Sequence, residues 1–201
     1  IGFAPNVDGY GLDAAGVQLT ERRAIGIDDY MRTNVEGIYA IGDVTNRKNL
    51  TPVAIAEGRA LADRLFSPSH RPVDLRLVAS AVFMLPPLAT VGPTEEEALA
   101  AGHRLQVFET DFRPMKQAFI GGTERTAMKL LVDADTQRVL AVHMAGADAP
   151  EIVQSLAVAL TAGASKEHFD RTIAMHPTAA EEFVLMRQPS RTVAPAPAAA
   201  S

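Results

Sequence analysis

Cysteine is absent from the 201 residues, so the chain can hold no disulfide and no thiolate metal site. That absence fits a reducing compartment and, with no signal-peptide pattern at the start, a cytoplasmic protein. No apolar run approaches the roughly 20 residues that span a bilayer, so no membrane role is expected. Basic charge is scarce too: 19 Lys and Arg stand against 24 Asp and Glu, a net charge of -5. Nucleic-acid partners are therefore not expected, since phosphate binding needs clustered cations. No Gly-x-Gly-x-x-Gly loop is present to cradle a pyrophosphate. The first residue is Ile1 rather than Met, and it reads as mid-strand, which predicts a chain cut from a longer protein. What is there is ordinary for a soluble globular protein, with 47% apolar and 21% charged residues, enough for one large or two small domains.

Residues 1–13 read as a Gly/Pro/Asn-rich connection. Val17 to Ile27 contains two short extended runs, and Gly37–Asp43 is an apolar strand stopped by a Gly-Asp turn. Thr51 and Pro52 open a helix to about Phe66, whose apolar face is expected to carry Ala54, Ile55, Gly58, Leu61, Ala62 and Leu65. Ser67 to Pro72 is a linker. Beyond it the order β-α-β-β-β-α-α is expected. Its strands are 79–84, 104–111, 127–133 and 138–144; a Thr94–Glu97 capping box starts the first helix. A helix over 149–161 ends at Gly163, and Pro177 opens a last helix to about Arg187. The residues after Pro189 read as a loose tail.

Two clusters can carry chemistry. A carboxylate at the end of the Gly37–Asp43 strand sits where α/β folds bind ligands, and Asp43 could accept hydrogen bonds from sugar-type hydroxyls or simply cap its turn. His176, Pro177 and the pair Glu181-Glu182 form the other. A histidine titrates near neutrality, and a partner carboxylate can fix its tautomer. Five residues apart on one continuous helix, the two side chains would diverge by about 140°. They meet only if His176 precedes the helix start and Glu181 lies in its first turns; a cis His176–Pro177 bond is expected to help. Otherwise His176 is a surface residue beside a conventionally acidic helix N-terminus. His70, His103, His143 and His168 form no ligand cluster, and no metal site is expected.

In order, Ile38–Asp43, Leu50–Ala54 and Glu57-Gly58-Arg59 resemble the second flavin-binding segment of the pyridine nucleotide–disulfide oxidoreductases. Pro86-Pro87, Thr90–Gly92, Thr94–Glu97 and His176–Thr178 with Glu181-Glu182 resemble that family's dimerisation domain. The likeness spans about residues 1–188. Arg59, Phe112–Met115, Val142–Met144 and the double Glu resemble most its glutathione reductase branch; lipoamide and mercuric-ion reductases are siblings, and a non-catalytic dimerisation module is the other alternative. Two positions depart from the pattern: Phe3 stands where the family commonly has Arg, and Leu185 where glutathione reductases often have Thr.

The resemblance implies a mixed fold class, α/β and α+β. Residues 1–13 would connect from an NADPH-binding domain and 14–66 would complete part of an FAD-binding domain. A linker over 67–74, an α+β dimerisation domain with an antiparallel sheet over 75–188 and a flexible tail over 189–201 would follow. It implies the cofactors FAD and NADPH, glutathione disulfide as substrate and a homodimer. Asp43 would bind the FAD ribityl chain, and Leu50 and Thr51 would lie near the flavin. Arg59 would face a glutathione carboxylate, while Met115 and Glu182 line the disulfide pocket. His176 would be the acid–base catalyst oriented by Glu181. The chain alone, lacking the redox cysteines and both nucleotide loops, would be inactive.

Overall fold

Extended segments become sheet only where neighbouring backbones take up their N–H and C=O groups, and the two ends of this chain differ in that respect. The computed structural model describes residues 4–68 and 72–195. Two compact units result, Ile1–Leu75 and Arg76–Ser201. Phe3 and His70 lie outside the described residues.

In the first unit the runs around Val17–Ile27 meet only through an antiparallel Leu19–Ile25 bridge that closes the Thr20–Ala24 turn. The strand expected over Gly37–Asp43 is not formed. Ile38–Ile41 finds only the isolated Arg32–Tyr39 bridge beside it, and its last two residues enter a 3-10 turn over Gly42–Thr45. Helix α1, Thr51–Phe66, has the expected ends. Its packed face is only partly the expected one: Ala54 and Gly58 lie close to Gly42 and Ile41, but the buried residues are Val53 and Glu57, and Ile55 and Leu65 are exposed. An inner row at i and i+4 thus includes a charge.

The second unit is a six-stranded antiparallel sheet in the order β1-β2-β5-β4-β3-β6. Its strands are β1 Ser80–Val82, β2 Leu88–Val91, β3 Leu105–Phe112, β4 Thr126–Asp133, β5 Val139–Ala145 and β6 Arg191–Val193. Helix α2, Glu95–Ala100, begins in the expected capping box. Short α3, Met115–Phe119, follows β3. Helix α4, Ala149–Thr161, lays Ala149, Val153, Ala157 and Leu160 on one sheet face, against Val91, Leu130, Val142 and Met144. On the other face Ala98 of α2 covers part of Leu105, Val107, Leu131 and Ala141. Among the described residues no helix is long and apolar enough to cross a membrane.

Besides α3, which the expected order lacks, further elements depart from expectation. Pro86-Pro87 does not merely end a strand: it turns the chain so that β2 pairs back on β1 in the register Ser80↔Thr90. Residues 191–193, expected in the loose tail, are the edge strand β6, where Arg191 bonds to both Glu95 and Glu109. Helix α5, Lys166–Arg171, was hidden by its polar composition; its start is set by Ser165, whose backbone N–H donates to His168 Nδ1.

The β4–β5 turn is built on one carboxylate. Asp133 Oδ1 accepts the N–H groups of Asp135 and Thr136, and Oδ2 lies 2.5 Å from His103 Nδ1. Burial alone would raise this carboxyl, but hydrogen bonds from Thr136, His103 and Asp135 outweigh it and lower the pKa from 3.8 to about 2. A depressed folded pKa gives stability that is present above 3.8 and lost as the pH falls through about 2. Urea midpoints followed from about pH 5 downward should therefore fall more steeply for the wild type than for Asp133→Asn. Parallel curves would contradict this.

Candidate active site

The loop between α5 and the last helix carries the histidine of interest. That helix, α6, spans only Glu182–Leu185 and does not begin at Pro177 as expected. Thr178 Oγ1 accepts the Glu181 N–H at 3.2 Å. Residues 179–183 then close with N–H groups reaching back three residues (Glu182 to Ala179, Phe183 to Ala180), so the chain turns before any α-helical ladder starts. His176 therefore precedes the helix and Glu181 caps it, the arrangement that lets both face one side. His176 Nδ1 lies 3.0 Å from Glu181 Oε1. The His176–Pro177 peptide is cis.

The pair is asymmetric in exposure: the imidazole is 69% exposed and the Glu181 side chain only 10%. The carboxylate is thus fixed by its surroundings and the ring held at its Nδ1 edge, leaving the other nitrogen for a partner. Two anchors follow Glu181 in the chain. Phe183, two residues after Glu181, is fully buried in the core, and the Arg187 guanidinium binds the Asp170 backbone carbonyl of α5. An imidazole oriented by a carboxylate can pass a proton to or from a bound group. Glu182 sits half-buried at the first position of α6.

In the first unit the turn after Ile41 presents Asp43. Its carboxylate is exposed and makes no hydrogen bond among the described residues, as suits an acceptor for sugar-type hydroxyls. Gly42 adopts φ +70°, and a Cβ there would lie 3.0 Å from Ala54 Cβ, so the turn packs directly on α1. Leu50 precedes α1 as its N-cap without a side-chain cap, and Thr51 begins it, exposed. Arg59 lies exposed on α1, and Met115 lies exposed at the start of α3. Asp43, Leu50 and Thr51 thus flank one end of α1, whereas Met115 belongs to the second unit.

Glu57 enters the sequence reading only within the Glu57-Gly58-Arg59 motif, without a role of its own, and Arg47 does not enter it. Glu57 is 1% exposed; it accepts the Gly42 N–H at 2.7 Å and a bond from Arg47 at 2.6 Å. The available signal was its position four residues after Val53, on the packed face rather than the solvent face. The remaining described histidines are engaged locally: His103 with Asp133, His143 with Thr90 and His168 with Ser165. No cluster of His, Asp and Glu able to hold a metal ion occurs among the described residues.

Residues 78–187 match the dimerisation domain of the pyridine nucleotide-disulphide oxidoreductases, and residues 1–58 match the pyridine nucleotide-disulphide oxidoreductase domain. The glutathione reductase of Pisum sativum (chloroplastic/mitochondrial) is 49% identical over 192 residues, covering 96% of this chain and 35% of that protein. The glutathione reductase of Nostoc sp. is 46% identical over 198 residues, covering 92% of this chain and 43% of that protein. Among solved structures, the HOCl-induced flavoprotein disulfide reductase RclA from Escherichia coli superposes with a TM-score of 0.74 at 29% identity, covering 87% of this chain and 40% of that one. The chain therefore spans less than half the length of these relatives, and it belongs to the pyridine nucleotide-disulphide oxidoreductase family.

Proposed function

We propose that this chain is the C-terminal part of a FAD- and NADPH-dependent reductase of glutathione disulfide, supplying its acid–base pair and its dimer contact. The observation that carries the reading is the His176–Glu181 pair, an exposed imidazole held at 3.0 Å by a largely buried carboxylate. FAD, when bound, supplies the electron path from NADPH to a disulfide. Asp43 would accept hydrogen bonds from the ribityl hydroxyls, and the backbone at Leu50 and Thr51 would lie against the flavin. Arg59 meets a glutathione carboxylate, and Met115 and Glu182 line the disulfide pocket.

The chemistry assigned to His176 is a single proton transfer. An attacking thiolate breaks the substrate S–S bond and forms a mixed disulfide, and the other sulfur leaves as a thiolate that takes the His176 proton. Glu181 accepts the remaining ring N–H and stabilises the imidazolium before transfer. No cysteine in this chain can provide the attacking thiolate, so that group comes from a segment outside it.

Ile173 and Met175 precede His176 and are 93% and 76% exposed. Apolar groups this open beside a proton donor favour a site completed by another surface, and we assign that surface to a second copy of the chain in a two-fold dimer. Light scattering should give twice the 21.4 kDa chain mass; a clean single-chain species at micromolar concentration would count against it.

The direct test joins the chain to upstream segments bearing a Gly-x-Gly-x-x-Gly loop and a cysteine pair. The joined polypeptide should hold stoichiometric flavin and reduce glutathione disulfide with NADPH, while the 201-residue chain does neither. A joined protein that reduces only a different substrate overturns the glutathione assignment, and one with flavin but no disulfide turnover leaves a dimerisation module.

A further inference from the structure

A carboxylate buried to 1% exposure inside a helix needs specific partners, because an unpaired charge is strongly disfavoured away from water. The two oxygens of Glu57 are used separately. Oε2 accepts the backbone N–H of Gly42 at 2.7 Å, and Oε1 accepts from Arg47 Nη2 at 2.6 Å. Gly42 and Arg47 bracket the turn that carries Asp43. One carboxylate on α1 therefore ties both ends of that turn to the helix. The turn is closed internally as well: Thr45 Oγ1, buried, donates to the Gly42 carbonyl at 2.8 Å.

Filling space does not require this arrangement. An apolar residue at position 57 would pack against Val53 and Ala54 without a charge to neutralise, but it would leave the Gly42 N–H without its acceptor. A charge-assisted bond to one backbone N–H, with a guanidinium on the opposite oxygen, fixes orientation as well as contact. The residue so oriented is Asp43, next in sequence to Gly42; its backbone carbonyl accepts the Asn46 N–H, and its exposed carboxylate has no hydrogen-bonded partner among the described residues.

We propose that Glu57 and Arg47 are positioning residues for the flavin cofactor, holding the Gly42–Arg47 turn so that the Asp43 carboxylate faces the ribityl hydroxyls. The proposal rests on the reading of Asp43 as a FAD contact. Glu57, at 1% exposure, is out of reach of a bound ligand, and both residues would act through the turn.

The test uses the joined, FAD-loaded polypeptide and follows FAD dissociation by the return of free-flavin fluorescence. Asp43→Ala probes the underlying contact, while Glu57→Gln and Arg47→Met probe the positioning pair. A glutamine cannot accept from both Gly42 and Arg47. A charge-assisted bond lost in this way should raise the FAD dissociation constant about tenfold in each positioning variant. The deciding readout is the double variant. If the pair acts through Asp43, Glu57→Gln adds less than about twofold once Asp43 is Ala, whereas a merely structural pair adds its full effect in either background.

Additive effects, or unchanged FAD release in both positioning variants while Asp43→Ala loses flavin, overturn the positioning role. Unchanged release in Asp43→Ala overturns the FAD reading and the positioning role with it. Should Glu57→Gln fail to fold, Arg47→Met carries the same comparison, since it leaves the bond from Gly42 to Glu57 in place.

Discussion

Replacing His176 by Gln in the joined reductase should lower disulfide turnover by about 10²–10⁴-fold, the range general acid–base catalysis contributes. Reduction of the flavin by NADPH should be nearly untouched. Glutamine keeps much of the ring's volume and hydrogen-bonding capacity but cannot take up and release the proton, so the substitution isolates proton transfer from packing. The ring is 69% exposed, which makes a folding defect small by comparison. Glu181→Gln should cost less, about tenfold, because the amide can still accept the N–H at 3.0 Å while losing the charge that steadies an imidazolium. Stopped-flow absorbance separates the two half-reactions. Wild-type turnover in the His176 variant across about pH 6–8 would refute the acid–base role.

Phe183→Ala should destabilise the second unit by about 3–5 kcal/mol, the cost of deleting a large aromatic group from a packed core. Phe183 is fully buried among the residues that join α4, α5 and the sheet. It also lies two positions after Glu181, so its ring anchors the short α6 to which the His176 partner is attached. Stability and proton transfer should therefore fall together in this variant, unlike in His176→Gln. Urea denaturation of the chain reads the first effect. A loss below about 1 kcal/mol would mean that the cavity collapses at no cost, contrary to the packing described.

Legibility in the sequence followed locality. Helices α1 and α4 declare their own ends, by Thr51-Pro52 and by Gly163 at φ +80°, and β3, β4 and β5 alternate or run apolar in the way a half-covered sheet requires. Strand β6 could not be read, because it is three residues long with only Val193 apolar, and its Arg191 is held by Glu109 and Glu95, 82 and 96 positions away. Glu57 was invisible for a related reason. A binary pattern sends a glutamate to solvent, and only the tertiary placement of Gly42 and Arg47 makes its burial favourable. At His176 the spacing allowed a meeting with Glu181 only off a continuous helix and left a surface histidine open; the turn at Thr178 brings the two together. Where the resemblance reached further, to Arg59 and Met115, both are exposed, and their assigned partners are molecules rather than neighbouring side chains.

In the proposed dimer, His176 serves a site completed by the other copy of the chain, and subunit complementation tests this. One full-length subunit carries His176→Gln, and the other keeps His176 but lacks the redox cysteines; each is inactive as its own homodimer. In a mixed dimer, one of the two shared sites regains both an intact cysteine pair and an intact His176. Random assortment from equal amounts should then restore about a quarter of wild-type turnover, because half the dimers are mixed and each has one competent site. Activity that stays at the level of the separate variants, although the mixed dimers form, would contradict the claim.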